Sequence, residues 1–574
     1  MAAFAVLGNN TPARAAAPMP MGSTLQVGSW TELSSAIAGV NPGESATIEL
    51  TQNIPAQGHA AIAIEGGRDI VLTSAGGVFT LVQETANQRH FAVRNGTLTL
   101  RNIVLSGNQA NLNNHGGVSV SAIGVGAGAA AHLYMEAGSE IANNRAPLGG
   151  GVNVANGGTL VIRDGEIRNN QAAGTGGGGV HMATGAEFTM ERGAIRNNHT
   201  TSHGGGLFAT GNSRFEMTGG VIRDNTAANN GGGIHAAGGT SVIIRNGAVV
   251  EQNEAAVDGG GVTVIGNSSF EMDGGTIRGN GASSSGGGVQ VWGGAAFIMR
   301  DGEITNNTSH GAGAGTGGGG VVVTGVNSTF EMNGGAIREN NATANGGGVQ
   351  LMTGGTLIMH GGAIADNTSH GTGALFGGGG VNIGGPTNQV NSWGIFTMHG
   401  GEIRGNYAVT NGGGVRRGSN TNAYFTMHGG EIRDNTAGLD GGGIYAQGEV
   451  YRPVLEATDY ARITMGDHGL VRGAEGIGGA FLPDQLITRA EAAAIINRML
   501  NRLPESPADM LPNMRTWPDN MNPQEWYYLY IQEATNSHTH EIKADGIHER
   551  WMSLLPPRPW ALLERPNSRP EDIF

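Results

Sequence analysis

Apolar residues two apart come in three short bursts, and the three bursts recur together from about residue 116 to about residue 470. The first burst follows a glycine run, as at Val262 and Val264. The second is F-x-M-x-x-G-G, as at Phe270 and Met272, and the third is I-R-x-N, as at Ile277 and Asn280. A period of two is that of a half-buried strand. The glycines, asparagines and small polar residues between the bursts are turn formers. The residue after each glycine run (Val152, Val180, Leu207, Ile234, Val262, Val289, Val321, Val349, Val381, Val415, Ile444) returns mostly every 27 to 29 residues, and in a few steps after about 32 to 34. One such unit cannot bury its own apolar face, but stacked units can. The pattern therefore predicts a mainly β chain, a parallel β-helix solenoid with three strands per coil. The longer steps predict loop insertions gathered at the corner before the first strand.

Inward ladders follow from the alternation. They comprise phenylalanines (Phe188, Phe215, Phe270, Phe297, Phe330, Phe396, Phe425), the methionines two residues on, and isoleucines from Ile167 to Ile432. The arginines after those isoleucines, Arg168 to Arg433, are turned outward as a local basic stripe. Asparagines from Asn170 to Asn435 end each third strand, where stacked amides can satisfy one another. One position breaks the pattern: Arg417 stands where neighbouring coils carry Val or Ile. A buried lone guanidinium is costly, so the strand should break there or Arg417 should reach solvent.

The two ends differ from the middle. Ser29 to Glu32 is a capping box ahead of Leu33, Ile37 and Val40, which predicts a short helix closing the first coil of a region spanning residues 25–115. Residues 1–24 hold a short apolar run and an Ala-x-Ala, read as the remnant of a secretory signal and so as an extracellular setting. After Gly479 the glycine runs stop. Thr488 to Glu491 is a capping box before a helical stripe ending at Leu500, and Asn522 with Pro523 starts a second predicted helix carrying Trp526, Tyr527 and Tyr530. A small α-helical region is thus expected over 475–540, followed by an irregular tail over 541–574.

Composition narrows the function. Charged residues are 14% of the chain and the net charge is −14, which argues against nucleic acid as the partner. There is no cysteine, hence no disulfide framework and no thiolate metal site. No stretch is long and apolar enough to span a membrane. No cofactor is implied.

The Gly-Gly-Ala-Ile blocks at 334–337 and 361–364, with the following I-x-x-N-x-A, resemble the repeats of polymorphic outer-membrane and related surface β-helix proteins, although that family has Phe where this chain has Ile. Phe481-Leu482-Pro483 through Ile487-Thr488-Arg489-Ala490-Glu491, followed by a helix, resembles the closing half of an S-layer homology module. Trp517-Pro518-Asp519 through Trp526-Tyr527 resembles the opening half of the next. That family binds secondary cell-wall polysaccharide. The resemblance implies that Thr488, Arg489 and Glu491, with Trp526, are the anchor residues; Arg489 has the fork that suits a ligand carboxylate. Little more than one module is present where the family carries three, so a single chain should bind weakly and gain by association of several chains.

Two functions fit this reading. One is a non-enzymatic surface stalk or adhesin, tethered to the cell wall and meeting host or environmental glycans or proteins. The alternative is a tethered polysaccharide-active enzyme of the pectate-lyase-like kind, which needs clustered carboxylates or a calcium site. The regular repeats favour the first. The Ser202-His203, Ser309-His310 and Ser369-His370 pairs lack a fixed acid. His360, His399 and His428 should form an outward row of solvated histidines. His538 and His540 with Glu541 make a weak metal pattern and read as loop residues.

Overall fold

A computed structural model describes residues 24–56, 58–108, 115–122, 130–373, 375–384, 393–419, 422–446, 462–463, 493, 497, 502–517, 521–525, 527–544 and 548–556. The chain forms two compact units, Met1–Thr464 and Met465–Phe574. The first is a parallel β-solenoid of about 13 turns. At the ~4.8 Å spacing of paired strands its stack is roughly 60 Å deep.

Helix α1 (Trp30–Gly39) opens the stack. Ser29 Oγ accepts from the backbone N of Glu32 at 3.2 Å, as a cap should. The reciprocal arm differs from the predicted box: Glu32 Oε2 accepts from Gly28 N at 2.7 Å, one residue outside the cap. Trp30, Leu33 and Ile37 are buried in the same core as the first strands. The helix thus covers apolar surface that the first coil alone would leave wet.

Every strand in the solenoid pairs in parallel with its equivalent in the next coil. First strands such as Ile234–Ala236 and Val262–Ile265 form a sheet of 14. Second and third strands belong to one sheet of 28, because in Ser269–Arg278 and Ala296–Thr305 they run on without a break. A further two-residue strand per coil, such as Thr226–Ala227, makes a third sheet of 11 that the periodicity did not announce. Register keeps like on like: Phe270 pairs with Phe297, Met272 with Met299 and Ile277 with Ile304. The Phe270, Phe297 and Phe330 rings stack at 4.6 and 4.5 Å between centroids. Each fully buried ring or aliphatic chain contributes about 1.5–3 kcal/mol, repeated down the stack.

The asparagine ladder lies at the corner between the third strand and the short fourth one. It runs from Asn144 to Asn435 and includes Asn144 and Asn253, two rungs the motif did not mark. In each rung after Asn144, Oδ1 accepts from the backbone N and the Nδ2 of the preceding Asn, while Nδ2 donates to a carbonyl of the preceding coil, as Asn280 Nδ2 does to Val250 O at 3.0 Å. These amides are buried and their hydrogen bonds replace solvent. The glycine run is required by the same corner. A Cβ on Gly261 would lie 2.7 Å from Gly288 O and 3.0 Å from Ile277 Cγ2, and Gly259 sits at φ +66°.

One expectation needs correcting. Extra residues before Val321 and Val381 fall at the predicted corner, between Ser309 and Val321 and between Ser369 and Val381. The third long step inserts elsewhere, between Ile383 and Gly394, the ends of a first and a second strand. In the middle of the stack, outward residues of the first strands are covered as well, although Trp292 at the end of one strand is exposed. Glycines of the corner loops lie against them: a Cβ on Gly286 would be 2.7 Å from Val322 Cγ1, and one on Gly377 would be 2.9 Å from Arg416 Cδ. His181, His235, Thr263, Gln290, Gln350, Asn382 and Arg416 are therefore buried, and they bond along the column, as Asn382 Nδ2 does to Gln350 Oε1 at 2.9 Å. Strand Val415–Arg417 ends at Arg417, which is half-buried and donates through Nε to Ala423 O at 2.8 Å. The fully buried guanidinium belongs to Arg416, its Nη1 3.0 Å from Asn382 Oδ1, and burial pushes its pKa down to about 10.

In the second unit, Ala493 and Asn497 are helical and buried. Helix α2 (Tyr528–Thr535) begins later than Asn522 suggested. Asn522 Oδ1 accepts from Gln524 N at 3.1 Å, a local turn that competes with capping, and residues 523–525 remain turn. An antiparallel hairpin, His538–Ile542 with Glu549–Leu554, follows.

Candidate functional site

Three surfaces of the solenoid carry chemistry. The outward arginines do not form a basic stripe, because acids of neighbouring positions neutralise them. Arg168 pairs with Glu140 of the preceding coil at 2.5 Å, Arg196 with Glu166 at 2.6 Å, and Arg278 with Glu251 at 2.6 Å. Arg338 bridges Glu303 and Glu339 at 3.1 and 2.7 Å. Asp224, Glu339, Asp366 and Asp434 hold left-handed turn positions beside the asparagine ladder.

The histidine row forms as expected. His360 and His399 stack at 5.0 Å and 7°, and His399 and His428 at 4.9 Å and 9°. His360 and His399 are exposed. The Ser-His pairs do not act together: Ser369 Oγ donates to Ala344 O at 2.7 Å, while His370 reaches Asn341 at 3.4 Å.

A groove of about 540 Å³ lies along the corner after the first strands, between Trp292 and Trp393. Asn267, Asn327 and Thr353 line it, all three in left-handed turns. Glycines make room for the indoles: a Cβ on Gly354 would come 3.0 Å from the Trp393 ring and one on Gly325 would come 3.2 Å from that of Trp292. Trp292 is exposed. The motif scan missed this groove because its residues fall in the variable turns between coils.

The second unit holds a further cluster, of histidines and carboxylates. His538 and His540 alternate on one strand and face Glu549 of the other. His538 Nε2 lies 3.0 Å from Glu549 Oε1 and 3.4 Å from Glu533 Oε2, and His540 Nε2 lies 3.6 Å from Glu549 Oε2. Arg502 pairs with Glu533 at 2.8 Å, Trp551 Nε1 donates to Glu533 Oε2 at 2.8 Å, and the Trp551 ring stacks on His538 at 4.1 Å. Burial, then the adjacent Glu549 carboxylate, pushes the Glu533 carboxyl up to about 8. Glu549 is held below the usual carboxylate range: burial opposes this, and bonds from Glu533 and His538 outweigh it. The sequence offered Glu541 as the acid here. Strand alternation turns it to the opposite face, where Arg550 lies 3.5 Å away. The hairpin, invisible in the local pattern, supplies Glu549 instead.

Thr488, Arg489, Glu491 and Trp526, the anchor residues implied by resemblance, lie outside the described residues. Among the described residues no helix is long and apolar enough to cross a membrane. No protein-family model, no curated protein and no solved structure matches the chain.

Proposed function

We propose that the chain is a non-enzymatic, secreted, envelope-associated β-helix protein, a stalk or adhesin held on secondary cell-wall polysaccharide through the S-layer-homology-like segment. The observation that carries this reading is the regularity of the solenoid: coil after coil repeats the same core ladder and the same inter-coil ion pairs. Such a stack makes a stiff spacer, and many of its outward carboxylates pair with neighbouring arginines. The Trp292–Trp393 groove suits a glycan, since indole faces stack on the apolar faces of sugar rings and amides bond their hydroxyls. Its described lining residues offer amides, a hydroxyl and indoles, a set for binding rather than for the acid–base chemistry of the enzymatic alternative.

The anchor is tested by sedimentation with isolated cell walls. Full-length protein should co-sediment, fragment 1–470 should not, and Arg489→Ala should lose most of the bound fraction. Equal sedimentation of fragment 1–470 and the whole chain would make the solenoid the binding surface. Release of reducing sugar from the wall material by the full-length protein would favour the enzymatic reading.

A further inference from the structure

We propose that His538, His540 and Glu549 hold one divalent transition-metal ion, zinc by the nature of the donor set. Two imidazoles and a carboxylate are a common zinc set, and it leaves a fourth position for water or an exogenous ligand. The three donor groups have ligand atoms that all lie within 4.8 Å of one another. Tetrahedral zinc with bonds of 2.0–2.1 Å needs donor atoms about 3.3–3.4 Å apart. The observed His–Glu549 separations, 3.0 Å from His538 Nε2 to Oε1 and 3.6 Å from His540 Nε2 to Oε2, lie close to that spacing, and side-chain rotation must bring the two rings onto a common point with one carboxylate oxygen.

Two further observations point to a cation. His538 Nδ1 is 2.7 Å from Asn536 O, a pure acceptor, so Nδ1 carries the proton. In the neutral ring Nε2 is then a lone pair, 3.0 Å from Glu549 Oε1 and 3.4 Å from both Glu533 Oε2 and Arg502 Nη2. A metal ion at this point takes that lone pair and a Glu549 oxygen as ligands, and the Asn536 carbonyl orients the ring as an outer partner should. Glu549 Oε2 is buried and has no hydrogen-bond partner among the described residues. His540, at the exposed edge of the cluster, gives an entry route.

The test uses the full chain, stripped with a chelator and titrated with Zn2+ alone by calorimetry and with Co2+ alone by visible absorption. The expected result is a site of one ion per chain giving the d–d bands of four-coordinate Co2+, with affinity reduced at least 10-fold in His540→Ala and in Glu549→Gln. His399→Ala, which breaks the stacked row on the solenoid, should leave this site intact. His540 is partly exposed, so its variant should keep the wild-type unfolding midpoint without metal. The proposal is overturned if the wild type shows no ion bound more tightly than in His540→Ala, or if His399→Ala rather than His540→Ala removes the site.

Discussion

Asn280 Oδ1 accepts two hydrogen bonds from Asn253, from its backbone N and from Nδ2, both at 3.0 Å. One side-chain oxygen thus closes the corner of the coil before it. Asn280→Ala strands those two donors and Val250 O away from water. Each buried orphan costs about 1–3 kcal/mol, so the loss of stability should be about 3 kcal/mol or more. Arg300→Ala, which removes only the exposed pair with Glu271, should cost far less, because solvent screens such a pair. Urea unfolding of the two variants checks the contrast.

Two glycines should fail for different reasons. Gly261→Ala drives a Cβ into Gly288 O across the coil interface, and overpacking against backbone should cost about 3 kcal/mol. Gly185 has open space around it but φ +69°, so Gly185→Ala should cost only the left-handed strain, about 1–2 kcal/mol. Thermal midpoints in that order are expected; equal shifts would contradict the steric account.

The phenylalanine column states its own tolerance. Val242 and Leu357 occupy the same register positions as Phe270 and Phe330. Phe297→Leu should therefore cost about 1–1.5 kcal/mol, and Phe297→Ala about 3–5 kcal/mol. Denaturant midpoints with an unchanged slope would show that only stability moved.

Acid should loosen the solenoid through histidines buried in neutral form. Burial pushes His90 and His181 down to about 4 and His235 to about 3. A folded pKa below the unfolded value near 6.5 means that the stabilising contribution is complete above pH 6.5. It is lost as pH falls toward 4 for the first two and toward 3 for His235. At pH 5 each histidine should cost about 2 kcal/mol. Unfolding free energies at pH 7 and pH 5 measure the slope, and His235→Gln should flatten it by the share of that one site.

The core of the fold was readable because each ladder repeats a residue type at a fixed phase, and alternation then decides what is inside. Asn253 escaped notice because Val250 stands where the neighbouring coil carries Ile222, and Asn144 because it precedes Val152, where the regular glycine-run series begins. The burial of Arg416 went unread for another reason. Alternation reports which side of a strand a residue takes, not whether a later loop covers that side. The same limit hid Glu549, which meets His538 only through hairpin register, and the Trp292–Trp393 groove, which is assembled from turns of separate coils.

The amide ladder has a consequence for inheritance. A rung bonds only to the rung before and the rung after, so removing one whole coil of about 27 or 28 residues brings together two asparagines that fit as well as the originals did. Near-identical stretches also invite misaligned exchange between gene copies. Lineages carrying this gene should therefore differ in coil number, lengthening or shortening their reach in whole-coil steps while each product still folds.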